Sequence, residues 1–68
     1  MSDNVYKIIE LTGTSADGVD QAIRNAVGKA AQTVHNINWF QVTEIRGQVS
    51  QGEVAQFQVS LKLGFRLD

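Results

Sequence analysis

Four side chains stand out for the chemistry they could do together: Trp39, Arg46, Gln56 and Gln58. An indole offers a rigid apolar face on which a flat heteroaromatic ring can stack, worth roughly 0.5–1.5 kcal/mol beyond the area it buries. A glutamine amide presents both a donor and an acceptor to the edge of such a ring. A guanidinium can hold a phosphate through paired hydrogen bonds. The same residues also suit a plain subunit contact, because tryptophan is enriched at interfaces and amides pair well across strands.

The other reactive groups do not assemble into a second centre. His35 is the only histidine, and no partner at a ligand or acid/base spacing accompanies it. Glu10, Asp17, Asp20, Glu44 and Glu53 are scattered along the chain. No serine sits in a nucleophile-elbow context. Gly13 and Gly18 flank a turn cluster and read as turn and helix-start residues rather than a phosphate loop. Cysteine is absent, which removes disulfides and thiolate metal sites. No enzyme is expected from this inventory.

Composition narrows the class further. Six Lys and Arg against seven Asp and Glu give a formal net charge of −1. Neutralising phosphates along a nucleic acid needs a surplus of cations, so no nucleic-acid partner is expected. No apolar run approaches the roughly 18 residues of a membrane span. The start, MSDNVYK, lacks the basic and apolar stretches of a signal peptide, so the cytoplasm is the expected compartment. At 68 residues the chain is one small domain, 1–68, with a core too small to be secure alone. Oligomerisation is the expected remedy.

The elements that must carry the four side chains follow from periodicity. Val5 to Thr12 is rich in β-branched and aromatic residues and stops at Gly13, which predicts a strand. Ser15 or Thr14 then serves as a helix N-cap, with Asp17 in the first turn. Val19, Ala22, Ile23, Ala26, Val27, Ala30, Val34 and Ile37 recur at steps of mostly three and four, which predicts a helix with one narrow, alanine-rich stripe, and Asn36 and Asn38 are suited to ending it. His35 falls in its last turn. A second strand spans Trp39 to about Val49 and a third Glu53 to about Leu67, joined by a three-residue hairpin loop, Ser50-Gln51-Gly52. In the third strand, Ala55, Phe57, Val59, Leu61, Leu63, Phe65 and Leu67 line one face and polar residues or glycine the other.

The second strand changes phase. Phe40 and Val42 are apolar at even positions, Ile45 and Val49 at odd ones. One extra residue is needed to reconcile them, which predicts a β-bulge near Thr43 and Glu44. The three-residue loop pairs Val49 with Glu53 and Ile45 with Phe57. Tyr6, Phe40, Phe57 and Phe65 are expected in the core.

These elements give an α+β fold: β-α-β-β, a three-stranded antiparallel sheet with one helix packed on its inner face. A strand of about 13 residues runs roughly 43 Å, and a helix of about 20 residues roughly 30 Å. The helix therefore leaves part of the sheet uncovered, and the outer face carries Trp39, Arg46, Gln56 and Gln58. In this register Gln58 lies near Glu44, about five residues or roughly 16 Å from Trp39. One ring cannot touch both within a single chain, so a ring held by both is predicted to draw them from different chains.

The stretches Gly13-Thr14-Ser15, Asn38-Trp39-Phe40-Gln41-Val42, Ile45-Arg46-Gly47 and Phe57-Gln58-Val59, and the ending from Val59 to Leu67, resemble the dodecins. The likeness spans nearly the whole chain, in order and at matching spacing, and is to the bacterial branch. The resemblance implies hollow homododecamers of β-α-β-β subunits that hold flavins in pairs between tryptophans of neighbouring subunits. It implies flavin mononucleotide (FMN) as the favoured ligand, with riboflavin as a second, and a storage or buffering role rather than catalysis. It places the stacking tryptophan at Trp39, the ring-facing glutamine at Gln58 and the phosphate-side arginine at Arg46. Some bacterial members are also associated with coenzyme A, for which Lys29 and Arg66 are candidate contacts. Gln41 departs from the family, where many members carry glutamate, which puts an intersubunit ion pair in doubt. The alternatives are a structural oligomer without ligand and a coenzyme A-binding scaffold.

Overall fold

A computed structural model describes residues 3–68. Four elements follow one another: β1 (Tyr6–Ser15), α1 (Val19–Ala30), β2 (Ile37–Ser50) and β3 (Glu53–Arg66). The strands form one antiparallel sheet in the order β1-β3-β2. The β-α-β-β reading is therefore correct, and the strand with the cleanest alternation, β3, is the central one. Its odd positions face the helix, where Val59, Leu61 and Leu63 are fully buried.

α1 lies across β1 and β3. Its stripe of Ala22, Ala26 and Ala30 is buried against them, and the small side chains permit a close approach. Gly13 completes that approach from the sheet side. A Cβ there would run into the Ala22 carbonyl oxygen and sit 2.8 Å from the Ala26 Cβ. Gly13 is thus a strand residue, paired with Val59, and not the turn expected from sequence.

Both ends of the helix differ from expectation. Gly18 occupies the N-cap position without a side-chain cap, and Asp20 is the acid in the first turn. Ser15 instead closes β1, and its Oγ accepts a hydrogen bond from the Asp17 N–H at 2.9 Å, which shapes the turn into the helix. The helix stops at Ala30. The following turn is tightened by bonds from Gln32 N–H to the Lys29 carbonyl and from Thr33 N–H to the Ala30 carbonyl. His35 therefore lies beyond the helix, exposed. Asn36 takes the left-handed conformation at φ 64°, which asparagine tolerates, and turns the chain into β2.

Three register shifts shape the sheet. The one between Val42 and Glu44 leaves Thr43 as the extra residue, as expected. A second lies between Ile37 and Trp39, and a third at Gln48/Val49, where Ala55 of β3 is unpaired. Because of that third bulge, the hairpin loop has two residues rather than three. Ser50 pairs with Glu53, and Gln51 and Gly52 both have positive φ (53° and 77°), the signature of a type I′ turn. The register expected from sequence is corrected accordingly: Ile45 pairs with Val59, not Phe57.

The helix has 12 residues, about 18 Å of length, whereas the molecule is 56 Å long. Much of the helix-side face is uncovered. Phe40 and Ile45 share that face with the core yet are 51% and 56% exposed. Phe40 has the expected facing but is not part of the core.

Candidate ligand-binding site

The far face of the sheet is built from the residues between the core positions. In β3 these are Gln56, Gln58, Ser60, Lys62 and Gly64. Beside Gly64 lie Trp39 on one neighbouring strand and Ile8 on the other. Gly64 decides how the indole lies: a Cβ there would run into the six-membered ring of Trp39. Its absence lets the ring settle onto the β3 backbone, on the side away from α1. Trp39 keeps 40% of its surface exposed.

Tyr6 joins it. The Tyr6 and Trp39 rings are 4.8 Å apart between centroids and tilted by 57°, within the range of favourable aromatic pairs. Tyr6 is therefore on the outer face and not in the core as expected. Tyr6, Ile8 and Trp39 form an exposed apolar platform over Gly64. Sequence reasoning missed Tyr6, Ile8 and Gly64 as site residues. The available signal was the glycine interrupting the polar row of β3, opposite a strand whose even positions begin with Tyr6 and Ile8.

Arg46 and Gln58 form the other part of the face. They are direct partners across β2 and β3. The Arg46 Nε donates to Gln58 Oε1 at 2.8 Å, and Gln58 Nε2 donates to Gln56 Oε1 at 3.1 Å. Between the two parts runs a polar strip. There Thr12 and Ser60 share a hydroxyl hydrogen bond of 2.9 Å, and the Thr43 Oγ1 donates to the Ser60 carbonyl at 3.1 Å. Gln41 sits opposite Lys62 in the same strip.

The structure thus unites Arg46 with Gln58 and keeps Trp39 away from both. Gln58 pairs with Arg46 rather than lying near Glu44. From Gly64 to Gln58 is six residues of β3, about 20 Å, longer than the separation expected from sequence. Lys29 is exposed in the last helical turn, and Arg66 ends β3. Arg66 lines a groove of about 340 Å³ with His35, Asn36 and Asp68. No hydrogen bond among the described residues joins Lys29 to Arg66.

One groove is on the opposite face from Trp39. It holds about 510 Å³ between α1 and β2 and is lined mainly by apolar surface of Ile23, Val27 and Phe40. A second apolar groove of about 270 Å³ lies at the hairpin end, among Val19, Ile45, Val49, Val54 and Phe57. Among the described residues no group of three or more His, Cys, Asp or Glu is placed to hold a metal ion. No helix among the described residues is long and apolar enough to cross a membrane.

The model of the dodecin family matches residues 5–68. The chain belongs to the dodecin family. A dodecin from Thermus thermophilus is 45% identical over 64 residues, covering 94% of this chain and 93% of the relative. The dodecin structure from Streptomyces coelicolor superposes with a TM-score of 0.95 at 57% identity, covering all of this chain and 97% of that one. A calcium dodecin from Mycobacterium tuberculosis, described as calcium-chelating, matches with a TM-score of 0.82 at 31% identity and 94% and 91% coverage. The dodecin fold is thus shared with a relative described as chelating calcium.

Proposed function

We propose that this protein binds FMN and stores or buffers it, in the cytoplasm, as a homododecamer without catalytic activity. The observation that carries this reading is the indole of Trp39 lying on Gly64, half exposed and turned away from its own core. A large apolar ring held open on a sheet surface costs solvation unless something flat covers it. The isoalloxazine ring fits that need. Gln58 supplies the donor and acceptor for the ring's polar edge. Arg46 uses its Nε on Gln58, which leaves its terminal nitrogens for the FMN phosphate. Riboflavin shares the ring but lacks the phosphate, so it should bind more weakly.

One chain cannot complete this site, because its Trp39 and Gln58 are about 20 Å apart along the sheet. A second copy must bring the missing half. The apolar grooves around Phe40 and Ile45 supply surface for such assembly on the face opposite the platform. A ligand sandwiched between indoles leaves no open ring face for a second substrate, which favours storage over turnover. No specific contact favours coenzyme A at Lys29 and Arg66, or a ligand-free scaffold.

Titration of FMN with the protein tests the reading. Emission should fall to near zero at one FMN per chain, because an excited flavin in contact with indole is quenched by electron transfer. The Trp39→Ala protein should leave most of the emission intact. Full emission in the presence of excess wild-type protein would contradict the proposal.

A further inference from the structure

Gln58 is held at both ends of its amide. A guanidinium has only donors, so the atom of Gln58 that faces the Arg46 Nε must be the oxygen. The amide nitrogen is then forced toward Gln56, which must answer with its own oxygen, as it does at 3.1 Å. The obligatory donor on Arg46 thus sets the polarity of a chain running Arg46, Gln58, Gln56. An amide free to turn over would present its two groups in either order. Here one order is imposed, with one lone pair of Oε1 and one N–H of Nε2 left for a ligand.

We propose that Gln56 is a positioning residue, which together with Arg46 locks the Gln58 amide so that the site selects a ligand edge carrying an imide N–H beside a carbonyl. The ligand N–H donates to Gln58 Oε1 and the ligand carbonyl accepts from Nε2. With the ring fixed by stacking, a Gln58 turned over would set oxygen against carbonyl and N–H against N–H. This rests on the flavin reading of the same face and assigns a role to a residue that need not touch the ring.

The test uses lumiflavin and its N3-methyl derivative, which lack phosphate and so set aside the anion contact of Arg46. Binding is read by quenching, and assembly of each protein by sedimentation. The wild type should prefer lumiflavin over the methylated form by about tenfold, the size expected when a hydrogen-bond partner is left unpaired. Gln56→Glu keeps an acceptor toward Nε2 and should keep the preference. Gln56→Lys offers only donors, which rewards the turned-over amide, and should reduce the preference to about twofold or less. Gln56→Leu releases the nitrogen and should fall between them, and it replaces the lysine variant should that one not assemble. A preference unchanged in the Lys and Leu proteins would overturn the role of Gln56 while leaving the flavin reading intact. A wild type that binds neither compound would overturn selection by the imide edge, and one that also leaves FMN emission intact would overturn both readings.

Discussion

The two halves of the helix-side face are made of similar residues and meet different fates. On β3, Val59, Leu61 and Leu63 are fully buried beneath α1. On β2, Phe40 and Ile45 share that face and are more than half exposed. Hydrophobicity does not separate the two sets; cover does. The helix is about 18 Å long and rests on β1 and β3, so β2 and the hairpin extend past it. The covered half holds the subunit together, and the uncovered half is the surface on which the proposed assembly would bring copies together.

Breaking the uncovered half should have the largest effect. Ile45→Asp places a charge where the account buries an apolar side chain between copies, and desolvating an unpaired carboxylate is costly. Sedimentation should show loss of the multi-subunit species. A variant with wild-type mass would erase the distinction between the halves. In the covered half, Leu61→Ala should cost about 2–5 kcal/mol of stability in denaturant unfolding, the range for a buried leucine truncated to alanine. A negligible loss there would mean that this core is not what holds the subunit.

The far face sharpens the comparison, because it depends on a contact that neither half shares. Gly64→Ala puts a methyl group into the Trp39 ring. The indole must lift from the sheet, at about 1–3 kcal/mol, and flavin affinity should fall while Leu61-dependent stability is kept. Near-ultraviolet circular dichroism would show the displaced indole. Tyr6→Leu is the mildest change. It removes an aromatic pair worth about 0.5–1.5 kcal/mol, and flavin quenching should weaken severalfold with no change in assembly.

The readable parts of the fold were those set by local patterns. The seven alternations of β3 gave its facing. The phase change between Val42 and Ile45 gave the bulge at Thr43, and the alanine stripe gave the close packing of α1. What could not be read was set by tertiary contact. Val34 and Ile37 continue the helical spacing, yet the chain leaves the helix after Ala30 because Asn36 turns it and Ile37 pairs with Phe65. Gly13 looks like a stop signal from sequence; its lack of a side chain serves the helix passing over it. The bulge at Ala55 has no sequence signature; it and the shorter loop each moved the hairpin register by one residue, two in all.

The candidate site was readable to the same degree. The outward facing of Trp39, Arg46, Gln56 and Gln58 followed from alternation and one bulge. The platform of Tyr6 and Ile8 did not, because nothing in the chain states that β1 pairs with β3. Once that pairing is known, Ile8 falls beside Gly64 and Tyr6 comes within reach of the indole. The separation of Trp39 from Gln58 grew when the register was corrected, which strengthens the inference that one ring is served by two chains.

Complementation tests that claim most directly. Trp39→Ala and Gln58→Ala chains, each poor in FMN binding, are co-expressed and assembled together. If each ring takes its indole from one chain and its amide from another, about a quarter of the sites in a random equal mixture carry both intact residues, and that share of FMN quenching should return. If one chain supplies both residues, no mixed site is whole and the mixed assembly will quench no better than its parents.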